Sequence, residues 1–119
     1  MNIAKFSELT HLSAHTLRYY EKLGLLSNIS RNHAGRRIYT QEDIEWVLFI
    51  TELKSIGMTL EQIKQYRALQ AAGPASYQQR RAILETHRDA LNERIKTEQS
   101  HLSTLEAKMK KCDKLKPLT

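Results

Sequence analysis

The chain has 119 residues, 40% of them hydrophobic, with a net charge of +6 and one cysteine. One cysteine excludes an intrachain disulfide framework, and no apolar run approaches the length that spans a bilayer. Residues 1–40 carry six basic and two acidic side chains, residues 41–72 three and five, and residues 73–119 ten and six; a basic N-terminal module suits a polyanion, nucleic acid above all.

Ile3, Phe6 and Leu9 lie on one helical stripe, with Asn2 as its cap. Thr10, His11 and Leu12 make a short turn that needs a left-handed residue, which His11 or Thr10 must supply. Ser13 caps a second helix that runs to Gly24. Leu17, Tyr20 and Leu23 fall on its inner face. His15, Arg18, Tyr19 and Lys22 point mostly the other way, a face with donors, charge, an aromatic ring and no carboxylate. Two short helices joined by about three residues form a helix-turn-helix. Such a face fits the major groove, where arginine reads guanine edges and tyrosine reaches phosphates. On its own the stretch is an ordinary amphipathic helix; its neighbours decide the reading.

Leu25 and Leu26 are apolar anchors. Ile29 to Arg31 and Arg36 to Tyr39 are predicted as short strands around a turn at Asn32 to Gly35. Arg31, Arg36 and Arg37 beside a helix-turn-helix read as a wing that clamps backbone phosphates or enters the minor groove. Thr40, with Asp43 at the third position, caps the next helix. Ile44, Val47, Leu48 and Thr51 mark one of its apolar faces and Trp46, Phe49, Ile50 and Leu53 another, so it is predicted to be the core of the module. Gly57 stops it. Thr59 and Gln62 form a capping box, with Met58 and Ile63 as a hydrophobic staple, and Gly73-Pro74 ends that helix after about Ala71.

Ser76 and Gln79 read as a further capping box. From there to about Lys114 nothing interrupts a helix of roughly 55–60 Å. Leu84, Leu91, Glu98, Leu105 and Cys112 recur every seven residues; Arg88, Ile95, Leu102 and Met109 do so with an offset of four. These are the a and d positions of a coiled coil, with Arg88 and Glu98 as polar exceptions that can fix register. Leu84, Leu91, Ile95, Leu102, Leu105 and Met109 are therefore the predicted dimerisation residues. A helix this long needs a partner, most simply from a second copy. The predicted plan is mainly α: a winged helix-turn-helix head over residues 1–72 with a small β-hairpin wing, a linker over 73–75, a dimerising helix over 76–114 and a tail over 115–119.

The run T-L-R-Y-Y-E-K-L-G-L-L, Thr16 to Leu26, followed by Arg31 and by G-R-R-I-Y, Gly35 to Tyr39, resembles the MerR family of bacterial transcriptional regulators. The likeness covers residues 1 to about 70 closely and the rest by architecture. The family usually has a tyrosine where Arg36 stands and a glycine where His11 stands. The resemblance implies a winged helix-turn-helix head, two further helices, and a long helix paired antiparallel in a homodimer. It implies binding to a palindromic, double-stranded promoter whose spacer is too long for efficient use by RNA polymerase, and distortion of that DNA so that the promoter elements realign. By the match, His15, Arg18 and Tyr19 fall on the recognition helix, and Arg31, Arg36, Arg37 and Tyr39 on the wing. Ser13, Thr16 and Lys22 complete the expected DNA-binding set.

Family members differ in the segment beyond the long helix. Drug sensors carry an additional ligand-binding domain, which this chain, ending at Thr119, is expected to lack. Metal sensors hold two cysteines in a loop at the end of that helix; here Cys112 stands where the first would be, and the remaining residues are DKLKPLT. His11, His15, His33, His87 and His101 are scattered, so neither a metal site nor a cofactor is expected. The electrophile-sensing subgroup uses a cysteine in the third or fourth helix, and residues 40–72 contain none. Cys112 is read as a small residue at a heptad position, with a redox thiol beside Lys110, Lys111 and Lys114 as the alternative. No nucleophile–base pair or Gly-rich phosphate loop points to an enzyme. A coiled-coil adaptor would keep the heptads without Arg18 and the wing arginines. The first residues, MNIAKFSELT, lack a signal-peptide core, so a soluble cytoplasmic protein with no membrane partner is expected.

Overall fold

The computed structural model describes residues 1–27 and 29–118; Asn28, and Thr119 at the end of the expected tail, lie outside the described residues. Among the described residues the order is α1 (Ile3–Thr10), α2 (Ala14–Lys22), β1 (Ser30–Arg31), β2 (Arg37–Ile38), α3 (Gln41–Ile56), α4 (Leu60–Ala71), a 3₁₀ turn (Pro74–Ser76) and α5 (Tyr77–Lys114). The chain divides into two units, Met1–Arg81 and Ala82–Thr119.

Local chemistry starts each helix of the first unit where the sequence places it. The side chains of Asn2, Ser13, Thr40 and Thr59 each accept from the backbone N–H three residues on, and Thr40/Asp43 and Thr59/Gln62 close reciprocal capping boxes. His11 supplies the left-handed turn residue, at φ 59°. The Ser7 hydroxyl donates to the Leu12 carbonyl and closes the same turn. Gly57 ends α3 at φ 112°, a region that costs a side-chain-bearing residue strain.

The core of this unit forms around α3, which packs against α1 and α4 while α1 packs against α2. Ile44, Trp46, Val47, Ile50 and Leu53 of α3 are buried with Phe6, Leu17, Tyr20, Ile63 and Tyr66. Each fully buried large apolar side chain contributes about 1.5–3 kcal/mol. Leu48, predicted on an apolar face of α3, stays exposed. The Trp46 indole N–H donates to the Leu25 carbonyl at 2.6 Å, which ties the segment after α2 to the core. The Arg67 guanidinium lies 4.2 Å from the centre of the same indole.

Ser76 departs from its predicted role. Its hydroxyl is buried within hydrogen-bond distance of the carbonyls of Leu69 and Gly73, and it accepts from the Arg80 side chain. It therefore ties the end of α4 to the start of α5. The 3₁₀ turn, opened by Pro74, leads into α5. Helix α5 runs for 38 residues with none buried. Leu84, Leu91, Ile95, Leu102, Leu105 and Met109 are between 38% and 63% exposed, an apolar stripe uncovered in the single chain.

Candidate nucleic-acid interface

Helix α2 is held by Leu17 and Tyr20, both in the core, which turns His15, Arg18, Tyr19 and Lys22 outward. The Ser13 hydroxyl accepts from the Thr16 N–H at 3.1 Å and lies 3.0 Å from the Thr16 hydroxyl. Both hydroxyls thus serve the helix start. The outer face keeps a ring, two basic groups and an imidazole in solvent.

The wing is shorter than predicted. Its strands are two residues each, antiparallel, with Ser30 opposite Ile38 and Arg31 opposite Arg37. Asn32 builds the turn: its side-chain oxygen accepts from the N–H groups of Ala34 and Arg36, both at 3.0 Å. Gly35 supplies a positive φ of 76°. Arg31 donates to the Gly35 carbonyl at 2.8 Å and so braces the turn that it flanks. The backbone N–H of Tyr39 donates to the Met1 carbonyl at 2.8 Å, which fastens the base of the wing to the start of the chain.

Arg37 and Tyr39 behave differently from the other wing residues. Arg37 donates to the Glu21 carboxylate at 2.6 Å, and both side chains are half-buried. The pair joins the wing to the last turn of α2. Glu21 has no place in the sequence-derived interface, because nothing local marks an acid that reaches across 16 residues. Tyr39, expected at the DNA surface, is instead 2% exposed and stacked on Phe6, with ring centres 4.2 Å apart and planes within 5°. Its hydroxyl has no hydrogen-bond partner among the described residues. Burial raises the Tyr39 pKa above its ordinary value and the Glu21 carboxylate adds to the rise, against the lowering influence of Arg37, Arg18 and Arg31.

Arg18 from α2 and Arg31, Arg36 and Arg37 from the wing line one cavity of about 390 Å³, together with Asn2, Ile3 and Ala4 at the start of α1. Four arginines, one of them offset by Glu21, beside the start of α1 make a place of net positive potential, suited to phosphate oxygens. Cys112, on α5, is an exposed free thiol. No cluster of three or more His, Cys, Asp or Glu residues comes together among the described residues. No described helix is long and apolar enough to cross a membrane.

Comparison with known proteins agrees with this geometry. Residues 1–70 match the model of the MerR HTH family of regulatory proteins, and residues 44–112 match a second model described as MerR, DNA binding. The chain is 49% identical over 65 residues to the HTH-type transcriptional regulator YyaN of Bacillus subtilis, a match that covers 55% of this chain. It spans only 47% of that relative's length. It is 33% identical to an HTH-type transcriptional regulator of Haemophilus influenzae over 97% of this chain and 85% of that protein. Among solved structures it is similar to HiNmlR, a MerR family regulator lacking the sensor domain and bound to promoter DNA. That likeness has a TM-score of 0.76 and 32% identity over 92% of this chain and 83% of the other.

Proposed function

The chain belongs to the MerR helix-turn-helix family of regulatory proteins, and from that premise we propose that it is a homodimeric, sequence-specific transcriptional regulator of promoter DNA. The observation that carries this reading is the convergence of Arg18 with the wing arginines Arg31, Arg36 and Arg37 around one basic cavity, beside the exposed face of α2. The α2 face enters the major groove, with His15, Arg18, Tyr19 and Lys22 toward base edges and nearby phosphates. Arg31 and Arg36 meet the backbone, and Arg37, held by Glu21, sets the angle between wing and helix. Two copies joined along α5 read the two halves of a palindrome. RNA polymerase at the same promoter is the second partner, and distortion of the DNA in response to an effector or stress is the regulatory output. The setting is the cytoplasm, and the role is regulatory rather than catalytic.

Mobility-shift titrations and footprinting on the DNA upstream of the chain's own coding sequence test this. A two-fold symmetric footprint is expected, with affinity that falls steeply as salt rises. Absence of protection, or binding indifferent to salt, overturns the reading.

A further inference from the structure

The uncovered stripe of α5 contains Arg81 near its start and, farther in, two charges, Arg88 and Glu98, where a coiled coil buries aliphatic side chains. Both are exposed in the single chain and have only weak local partners. Arg88 lies 3.2 Å from the carboxylate of its neighbour Asp89, and Glu98 lies 3.3 Å from the His101 ring. Burial of either charge at a seam without an opposite charge costs far more than those contacts return.

Only some pairings avoid that cost. A parallel, in-register dimer sets Arg88 on Arg88 and Glu98 on Glu98. An antiparallel dimer layers each residue of the Leu84–Leu91–Glu98–Leu105 set against one of the Arg81–Arg88–Ile95–Leu102 set. This restricts the register to steps of one heptad. One such register sets Leu84 against the partner's Leu102, Leu91 against the partner's Ile95, and Glu98 against the partner's Arg88. A slip of one heptad in one direction sets Arg88 against the partner's Leu105 and Glu98 against the partner's Ile95, two unpaired charges at the seam. A slip in the other pairs Glu98 with the partner's Arg81 but sets Arg88 against the partner's Leu91 beside the two-fold axis, deep in the seam. The first register places only Arg81 against an aliphatic residue, the partner's Leu105, at the end of the seam where its head reaches water.

We propose that Arg88 and Glu98 select the register of the antiparallel dimer, each Arg88 guanidinium pairing with the partner's Glu98 carboxylate across the α5 seam. This rests on the homodimer reading above and adds what that reading leaves open. The two-fold symmetry makes the pair twice. The axis then crosses α5 at residue 93, not at Ile95 in the middle of the 76–114 span, because a centre at Ile95 fits no heptad layer.

Cys112 is the sole cysteine, so a nitroxide can be attached there in the full chain without substitution. Pulsed electron–electron distance measurement then reads the register. The proposed register separates the two labels by about 57 Å at 1.5 Å per residue, whereas the heptad slips give about 46 Å and about 67 Å. A parallel dimer gives roughly 10 Å, the separation of packed helix axes. Any of these other distances overturns the register.

Sedimentation of two single variants and their combination supplies the energetic test. Arg88→Leu and Glu98→Leu should each weaken the dimer by about tenfold or more, since each leaves the other charge unpaired, while the double variant should dimerise at least as well as the parent chain. Tighter dimers from both single variants would point to relieved like-charge repulsion and overturn the proposal. A parent chain that sediments as a monomer overturns the homodimer reading itself, whatever the label distance.

Discussion

The Arg37 Nε atom lies 2.6 Å from the Glu21 carboxylate, so the wing and the helix that carries Arg18 are joined by an ion pair. The pair is partly shielded from solvent, which puts its coupling above that of a fully exposed bridge and below that of a buried one. A double-mutant cycle on Glu21→Ala and Arg37→Ala should return about 1–2 kcal/mol in denaturant unfolding. Glu21→Ala makes the head more positive, so its binding to random DNA should hold or tighten, while the ratio of specific to random affinity falls. A ratio unchanged by Glu21→Ala would remove the pair from any role in orienting the wing.

Arg18 and Arg36 should separate base reading from backbone binding. Arg18→Ala is expected to cost on the order of 1–3 kcal/mol and to relax preference at one position of each half-site. Arg36→Ala should weaken binding to every sequence alike and reduce the slope of log affinity against log salt by about one for each phosphate that Arg36 neutralises. Competition binding over a set of single-base operator variants at several salt concentrations checks both. Identical, sequence-blind losses would end the division between helix and wing.

Tyr39 carries the alkaline prediction. Its folded pKa is raised above the ordinary 10.0. Above pH 10 the unfolded chain therefore releases this proton while the folded chain keeps it. The contribution of Tyr39 to stability is then constant below about pH 10 and declines above it. Tyr39→Phe keeps the stack on Phe6, removes a hydroxyl that has no partner among the described residues, and abolishes this decline. Thermal unfolding from about pH 7 to 11 should show the variant at least as stable as the parent at neutral pH, with a widening advantage above about pH 10. A variant that is less stable at neutral pH would show that the hydroxyl is satisfied in solution.

His11 should accept glycine with profit. At φ 59° it bears the strain of the left-handed region in the turn between α1 and α2. His11→Gly relieves that strain but adds freedom to the unfolded chain, and the balance should favour the variant by about 0.5–1 kcal/mol. Urea unfolding at constant slope reads the change in midpoint. A destabilised variant would mean that the exposed imidazole makes an interaction worth more than the backbone strain.

The sequence alone determined the order of the elements and where the helices of the first unit start. Helix caps act over three residues, turns over four, and the α5 stripe repeats every seven, so Asn2, Ser13, Thr40, Thr59, His11 and the α5 heptads could be read without coordinates. The exposed face of α2 came from the same short-range periodicity, because burying Leu17 and Tyr20 leaves Arg18 and Tyr19 outside. What the tertiary structure decided lies between residues far apart in the chain. Two-residue strands carry too little alternation to say which way Tyr39 faces; its stack on Phe6, 33 positions earlier, decides that it is core. Arg37 is one of three similar wing arginines until Glu21 comes within reach. Trp46 finds the Leu25 carbonyl only when α3 closes over the segment after α2. Ser76 looks like an ordinary cap until the Leu69 carbonyl, seven residues back in the last turn of α4, comes within reach. In each case an unmet hydrogen-bonding group or charge is satisfied, or a ring covered, by a residue that only chain folding brings near, and no local pattern encodes that meeting.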